Sequence, residues 1–194
     1  MFGGWEVVVF GGDGDVAVED GAIVLNPGDP LTGITSTLKD LPVDNYEISL
    51  ETKKIDGVDF FCCLTFPVND SHCSFVVGGW AGTVVGISSI DESDAARNET
   101  MKHGAFKADT WYKIRVRVEG ETIQCWIDDE QYVNVNVAGR KLTVRNEVRL
   151  NRPLGICSFQ TKAAIRNIEL TRLTAETVKS DGGAVKTDRD GGRP

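Results

Sequence analysis

Short runs in which apolar and polar residues alternate recur along the chain, separated by clusters of glycine, aspartate, asparagine and proline. A period of two puts apolar side chains on one face of a strand and polar ones on the other. Residues 46–53 show this most cleanly, with Tyr46, Ile48 and Leu50 set against Glu47, Ser49 and Glu51. Residues 111–119 repeat it: Tyr112, Ile114, Val116 and Val118 alternate with Lys113, Arg115, Arg117 and Glu119. Residues 58–66 are almost wholly apolar, as expected of a central strand covered on both sides. Further strands are predicted over 6–10, 22–25, 32–38, 73–77, 83–87, 122–127, 131–137, 154–160 and 163–170. Turns are predicted around Gly120 and at Asp128, Asp129 and Glu130, and one short helical turn over 92–97. Many short strands without a fixed-period repeat imply an all-β sandwich or barrel and exclude a propeller.

A chain of 194 residues holds one good core and leaves little room for a second domain. The pattern ends near residue 173, so a sandwich domain is expected over 1–173. Residues 174–194 are charged, rich in glycine and free of aromatics, which predicts a tail or linker. The abrupt start on a strand, with no basic region followed by an apolar stretch, predicts a domain cut from a longer protein and leaves its compartment open. With a formal net charge of -8, the surface repels phosphate backbones, so no nucleic-acid partner is expected. No apolar run approaches the roughly 20 residues that span a bilayer, so no membrane partner is expected either. The oligomeric state is not readable from this pattern.

There are five cysteines, four of them inside apolar runs. An odd count without a Cys-x-x-Cys spacing argues against a disulfide framework and a zinc site. Buried free thiols are expected, with one bridge between Cys63 and Cys73 as the alternative.

Several phrases in order resemble the 3-keto-disaccharide hydrolase domain family, in a planctomycete-type form. They are Gly4-Trp5, the run 18–25, Tyr46 to Glu51, Gly57 to Phe61, Trp111-Tyr112, Cys125-Trp126, and Pro153-Leu154-Gly155-Ile156 followed by 164–168. The resemblance covers residues 5–173. It implies a concanavalin A-like jelly-roll β-sandwich of two antiparallel sheets, whose concave face and rim loops hold sugar. Two stretches depart from the family pattern, 69–80 and 159–162.

Glycoside hydrolysis needs two carboxyl groups facing one cleft. The lichenase-like signature Glu-x-Asp-x-x-Glu is absent, and no Gly-x-Ser-x-Gly nucleophile elbow occurs. Glu51 and Asp59, on consecutive predicted strands, are the candidate catalytic pair, against the alternative of a solvated face and a turn residue. His72, beside Asp70 and Ser71, is the candidate acid or base, or else an ordinary loop histidine. Indole stacks on the C–H face of a sugar ring, which makes Trp80, flanked by glycines, the leading sugar contact and Trp126 a second. Arg97 and Glu99, in the polar loop 91–103, are candidate rim contacts. No metal site and no cofactor are expected. Asp13, Asp15 and Asp20 read as turn punctuation, with structural calcium as the alternative. The expected function is therefore a carbohydrate-binding module, possible as an accessory domain of a larger protein. The alternatives are a glycoside hydrolase of the family's type and a structural or protein-interaction domain.

Overall fold

A computed structural model describes residues 3–174, so the tail expected over 174–194 lies outside the described residues from position 175 on. Two antiparallel sheets of seven strands each face one another. The first sheet contains β1 (Trp5–Val7), β4 (Leu31–Ser36), β6 (Cys62–Val68), β7 (Ser71–Gly78), β8 (Val84–Ser88), β9 (Lys102–His103) and β13 (Gly155–Phe159). Its spatial order is β1-β4-β13-β6-β7-β8-β9. The second sheet contains β2 (Val16–Glu19), β3 (Ala22–Leu25), β5 (Tyr46–Asp56), β10 (Tyr112–Glu119), β11 (Thr122–Ile127), β12 (Glu130–Asn136) and β14 (Lys162–Arg172). Its order is β12-β11-β10-β5-β14-β3-β2. The expected jelly-roll sandwich is the fold observed.

The alternation read from the sequence decides which faces meet. Tyr46, Ile48 and Leu50 of β5, with Ile114, Val116 and Val118 of β10, are buried against Leu64, Phe66, Phe75, Ile87 and Ile156 of the first sheet. Burying a side chain of this size is worth about 1.5–3 kcal/mol, so this layer dominates the stability. The Tyr46 hydroxyl crosses the layer and donates to the Pro67 carbonyl. Burial, reinforced by nearby Cys73 and Cys125, pushes its pKa up and keeps it a donor.

The first sheet is covered on its other face too. Every residue of β6 is buried, as the apolar run predicted, although the strand starts at Cys62 and residues 58–61 form a loop. Cys63, Val76, Val84 and Cys157 point outward and are roofed by Ala95 and Val148 from two long loops. The cysteines follow this division. Cys62, Cys73 and Cys125 lie between the sheets, Cys63 and Cys157 lie on the outer face directly opposite one another, and all five thiols are free. The alternative bridge between Cys63 and Cys73 is thereby corrected, because strand pleating sends those side chains to opposite faces.

Of the helical turn expected over 92–97, a single turn forms at its end, where Arg97 N and Asn98 N donate to Asp94 O at 2.9 and 3.2 Å, and no helix extends from it. Its polar side chains take the backbone groups that a helix would use. Asp94 Oδ1 accepts from Ala96 N at 3.1 Å, and Asn98 Nδ2 donates to the carbonyls of Ile87, Ser93 and Asp94 at 2.8–3.0 Å.

Candidate functional site

A groove opens on the outer face of the first sheet. Its floor consists of outward side chains from three adjacent strands: Cys63 of β6, Ser74 and Val76 of β7, and Ser88 of β8. These are small or short, which gives the groove its depth, and Ser74 Oγ pairs with Thr65 Oγ1 at 2.8 Å. Burial pushes the Cys157 thiol up, so it remains neutral beside Cys63. Phe60 and Phe159 form one wall, their ring centroids 5.6 Å apart, and Val148 faces them. The groove's volume is about 190 Å³.

The upper rim is built by the turn between β7 and β8, residues Gly79–Gly82. Gly78, Trp80, Ala81 and Gly82 all have positive φ (76°, 48°, 62° and 90°). Side chains rarely adopt this backbone, so two of these residues are held in place by their surroundings. The holding group is Asp59. Its Oδ2 accepts from Ala81 N at 3.1 Å and its Oδ1 from Phe60 N at 2.8 Å. The Trp80 indole stands at the groove with 39% of the residue exposed.

Arg145 joins the other rim. Its Nη1 donates to Asp94 Oδ2 at 3.2 Å, its Nε to Glu147 Oε1 at 2.7 Å, and its guanidinium carbon lies 5.8 Å from the Trp80 ring centroid. Burial pushes the Glu147 carboxyl up, but hydrogen bonds from its own backbone and from Arg145 outweigh that and hold it below its ordinary value. Glu147 is thus an anion that accepts hydrogen bonds, with polar atoms spread around an apolar slot.

Of the residues singled out in the sequence, Asp59 and Trp80 meet in this groove. His72 lies on the same outward face of β7, two residues before Ser74, but outside the groove. Burial and then the Arg152 charge lower its pKa, favouring the neutral imidazole. Glu51 is elsewhere, on the outer face of the second sheet, where it accepts from Arg166 Nε at 2.7 Å and Asn167 Nδ2 at 3.2 Å. Those two bonds hold its carboxyl below the ordinary value. Trp126 is on that second sheet as well, beneath Arg115 at 3.9 Å. Arg97 lies 3.9 Å from Asp94 without lining the groove, and Glu99 accepts from Arg140 Nη1 at 2.7 Å. Sequence reasoning missed Arg145, Glu147, Phe60 and Phe159.

Among the described residues, no three His, Cys, Asp or Glu side chains gather as a metal site. Asp13 is occupied in a turn, its Oδ1 accepting from Gly11 N at 2.9 Å. No described helix is long and apolar enough to cross a membrane.

Solved structures share the fold at low identity. The carbohydrate-binding module CBM66 from Bacillus subtilis is 13% identical with a TM-score of 0.53, covering 87% of this chain and 95% of its own. Domain 4 of AbnA, a GH43 extracellular arabinanase from Geobacillus stearothermophilus solved with arabinotriose, is 17% identical with a TM-score of 0.55, covering 91% and 86%. The carbohydrate recognition domain of Emp46p is 11% identical with a TM-score of 0.60, covering 88% and 89%. No curated protein matches the chain in sequence. Residues 1–171 match the 3-keto-alpha-glucoside-1,2-lyase-like domain, and the chain belongs to that family.

Proposed function

We propose that the protein is a carbohydrate-binding module whose ligand seats one sugar ring in the groove of the first sheet. The observation that carries this reading is the Trp80 indole, held at the mouth of an apolar slot between polar rims. A pyranose or furanose ring offers C–H bonds to an indole face and hydroxyls to groups at its edge. Arg145 and Glu147 supply a donor and an acceptor at that edge. A space of about 190 Å³ is below the ~300 Å³ typical of sites for drug-sized ligands, which favours a single ring over a buried oligosaccharide. Similarity of fold to a carbohydrate-binding module and to a domain of an arabinanase supports an accessory role beside other domains.

The test is calorimetric titration with cellobiose, trehalose and arabinotriose, preceded by a glycan array. Binding by the wild type, weakened at least tenfold in Trp80→Ala, is expected. A blank array, or equal affinities for the two proteins, overturns the reading.

Family membership favours a second reading, cleavage of a sugar derivative in the same groove. The catalytic trio of Glu51, Asp59 and His72 is not gathered for it, so the reading rests on Glu147, which lines the groove and accepts from Arg145. Product formation from a 3-keto-glucoside, abolished in Glu147→Gln, is its test.

A further inference from the structure

The geometry points to Asp59 as a positioning residue that acts through Trp80 and does not itself react with the ligand; this rests on the carbohydrate-binding reading. Both carboxylate oxygens are already committed to backbone N–H groups, Oδ1 to Phe60 and Oδ2 to Ala81. A carboxylate engaged in this way ties the loop before β6 to the turn between β7 and β8. Its value lies in the segment it restrains. Trp80 and Ala81 are consecutive non-glycine residues at φ 48° and 62°, a conformation that relaxes unless something outside the turn opposes it. Within the turn, Thr83 N donates to Gly79 O at 3.0 Å. From outside it comes the charged acceptor of Asp59, the stronger kind of hydrogen bond.

Asp59 is itself anchored. The fully buried Thr161, at the corner between β13 and β14, accepts from Asp59 N and donates to Asp59 O through its hydroxyl, both at 3.2 Å. Gly57 (φ 108°) lets the chain press close to that corner, since a Cβ there would lie 2.7 Å from Thr161 Cα. A rigid corner of the sandwich thus sets Asp59, Asp59 sets Ala81, and Ala81 sets the indole. A ligand then meets a platform already ordered, and the cost of ordering it is absent from the binding equilibrium.

Asp59→Asn separates this role from bulk stability. The amide keeps the size but has one oxygen for two N–H donors, so one bond is lost. Acrylamide quenching of Trp80, taken as the difference between each protein and its Trp80→Phe counterpart, needs no sugar. It is expected to rise at least twofold in Asp59→Asn while the thermal midpoint stays within a few degrees. Thr161→Val, which loosens the anchor and not the carboxylate, is expected to move quenching in the same direction by less, and it serves if the first variant does not fold. For whichever of cellobiose, trehalose and arabinotriose the wild type binds, Asp59→Asn is expected to weaken affinity about tenfold or more. The double variant with Trp80→Ala should bind no more weakly than Trp80→Ala alone. Unchanged quenching in both variants, or additive losses in the double variant, overturns the inference. If the wild type binds no sugar, the functional reading falls and quenching alone still decides this one.

Discussion

Replacing Ala81 by glycine should make the protein more stable and a weaker binder. Ala81 is exposed, with φ 62° and ψ 36°, so its methyl group contributes little packing and forces a left-handed backbone. That conformation costs an L-residue about 1–2 kcal/mol. Glycine removes the cost but gains freedom in the unfolded chain worth about 0.4–1 kcal/mol. The difference favours Ala81→Gly by about 0.5–1 kcal/mol. For a domain of this size each kcal/mol moves the midpoint by about 2–4 °C, so a rise of about 1–4 °C is expected in reversible thermal unfolding followed by circular dichroism. Binding should change in the opposite sense, because the glycine turn samples more conformations and must be ordered when sugar docks. A two- to fivefold loss of affinity follows from about 0.5–1 kcal/mol of added ordering. A midpoint lowered by 2 °C or more would refute the assignment of strain. Unaltered affinity alongside a raised midpoint would show that the turn's rigidity is irrelevant to the ligand.

Gly33→Ala places a Cβ 2.7 Å from both Cys157 Cβ and Ile156 O across neighbouring strands, and should cost about 1–3 kcal/mol in urea denaturation; an unchanged midpoint would contradict the packing. His72 has a lowered pKa, so the unfolded chain takes up its proton first as pH falls. Stability from this group is complete above about pH 6.5 and declines below it, and His72→Gln should flatten that slope between pH 7.5 and 5.5; parallel profiles for the two proteins would refute this. Glu51 is held below its ordinary value by Arg166 and Asn167, so its contribution persists above about pH 4.5 and is lost as pH drops through its lower folded value. Glu51→Gln should therefore reduce acid sensitivity and leave sugar affinity untouched, and a loss of binding would move the site to the second sheet.

The strands were legible because their information is local. The alternation of Tyr46, Ile48 and Leu50 needs nothing beyond its own segment, and the closed run at 62–66 carries its double burial in composition. The short strands β2 and β9 and the 3₁₀ turn Asn146–Asn151 escaped, being too brief to show a period. The site was half legible. Trp80 betrayed itself through flanking glycines, whereas Asp59 was singled out as a strand carboxylate beside Glu51 and lies instead in the loop before β6. Arg145 and Glu147 gave no signal, because their meaning comes from Asp94 and Trp80, some 50 or more residues away in sequence. Glu51 misled for a related reason: its period-2 face is real, but a sandwich has two outward faces, and alternation does not say which of them holds the groove.

The placement of the last two strands constrains how the chain can be made. β13 lies between β4 and β6, and β14 lies between β5 and β3, so each sheet is split into two pieces until its final strand arrives. During synthesis at about 5–20 residues per second, a nascent chain holds those pieces apart for roughly 5–20 s, with four raw strand edges exposed to pairing with other chains. Closure of both sheets waits on residues 155–172, and a chain truncated before Gly155 would hold four part-sheets where the domain has two sheets.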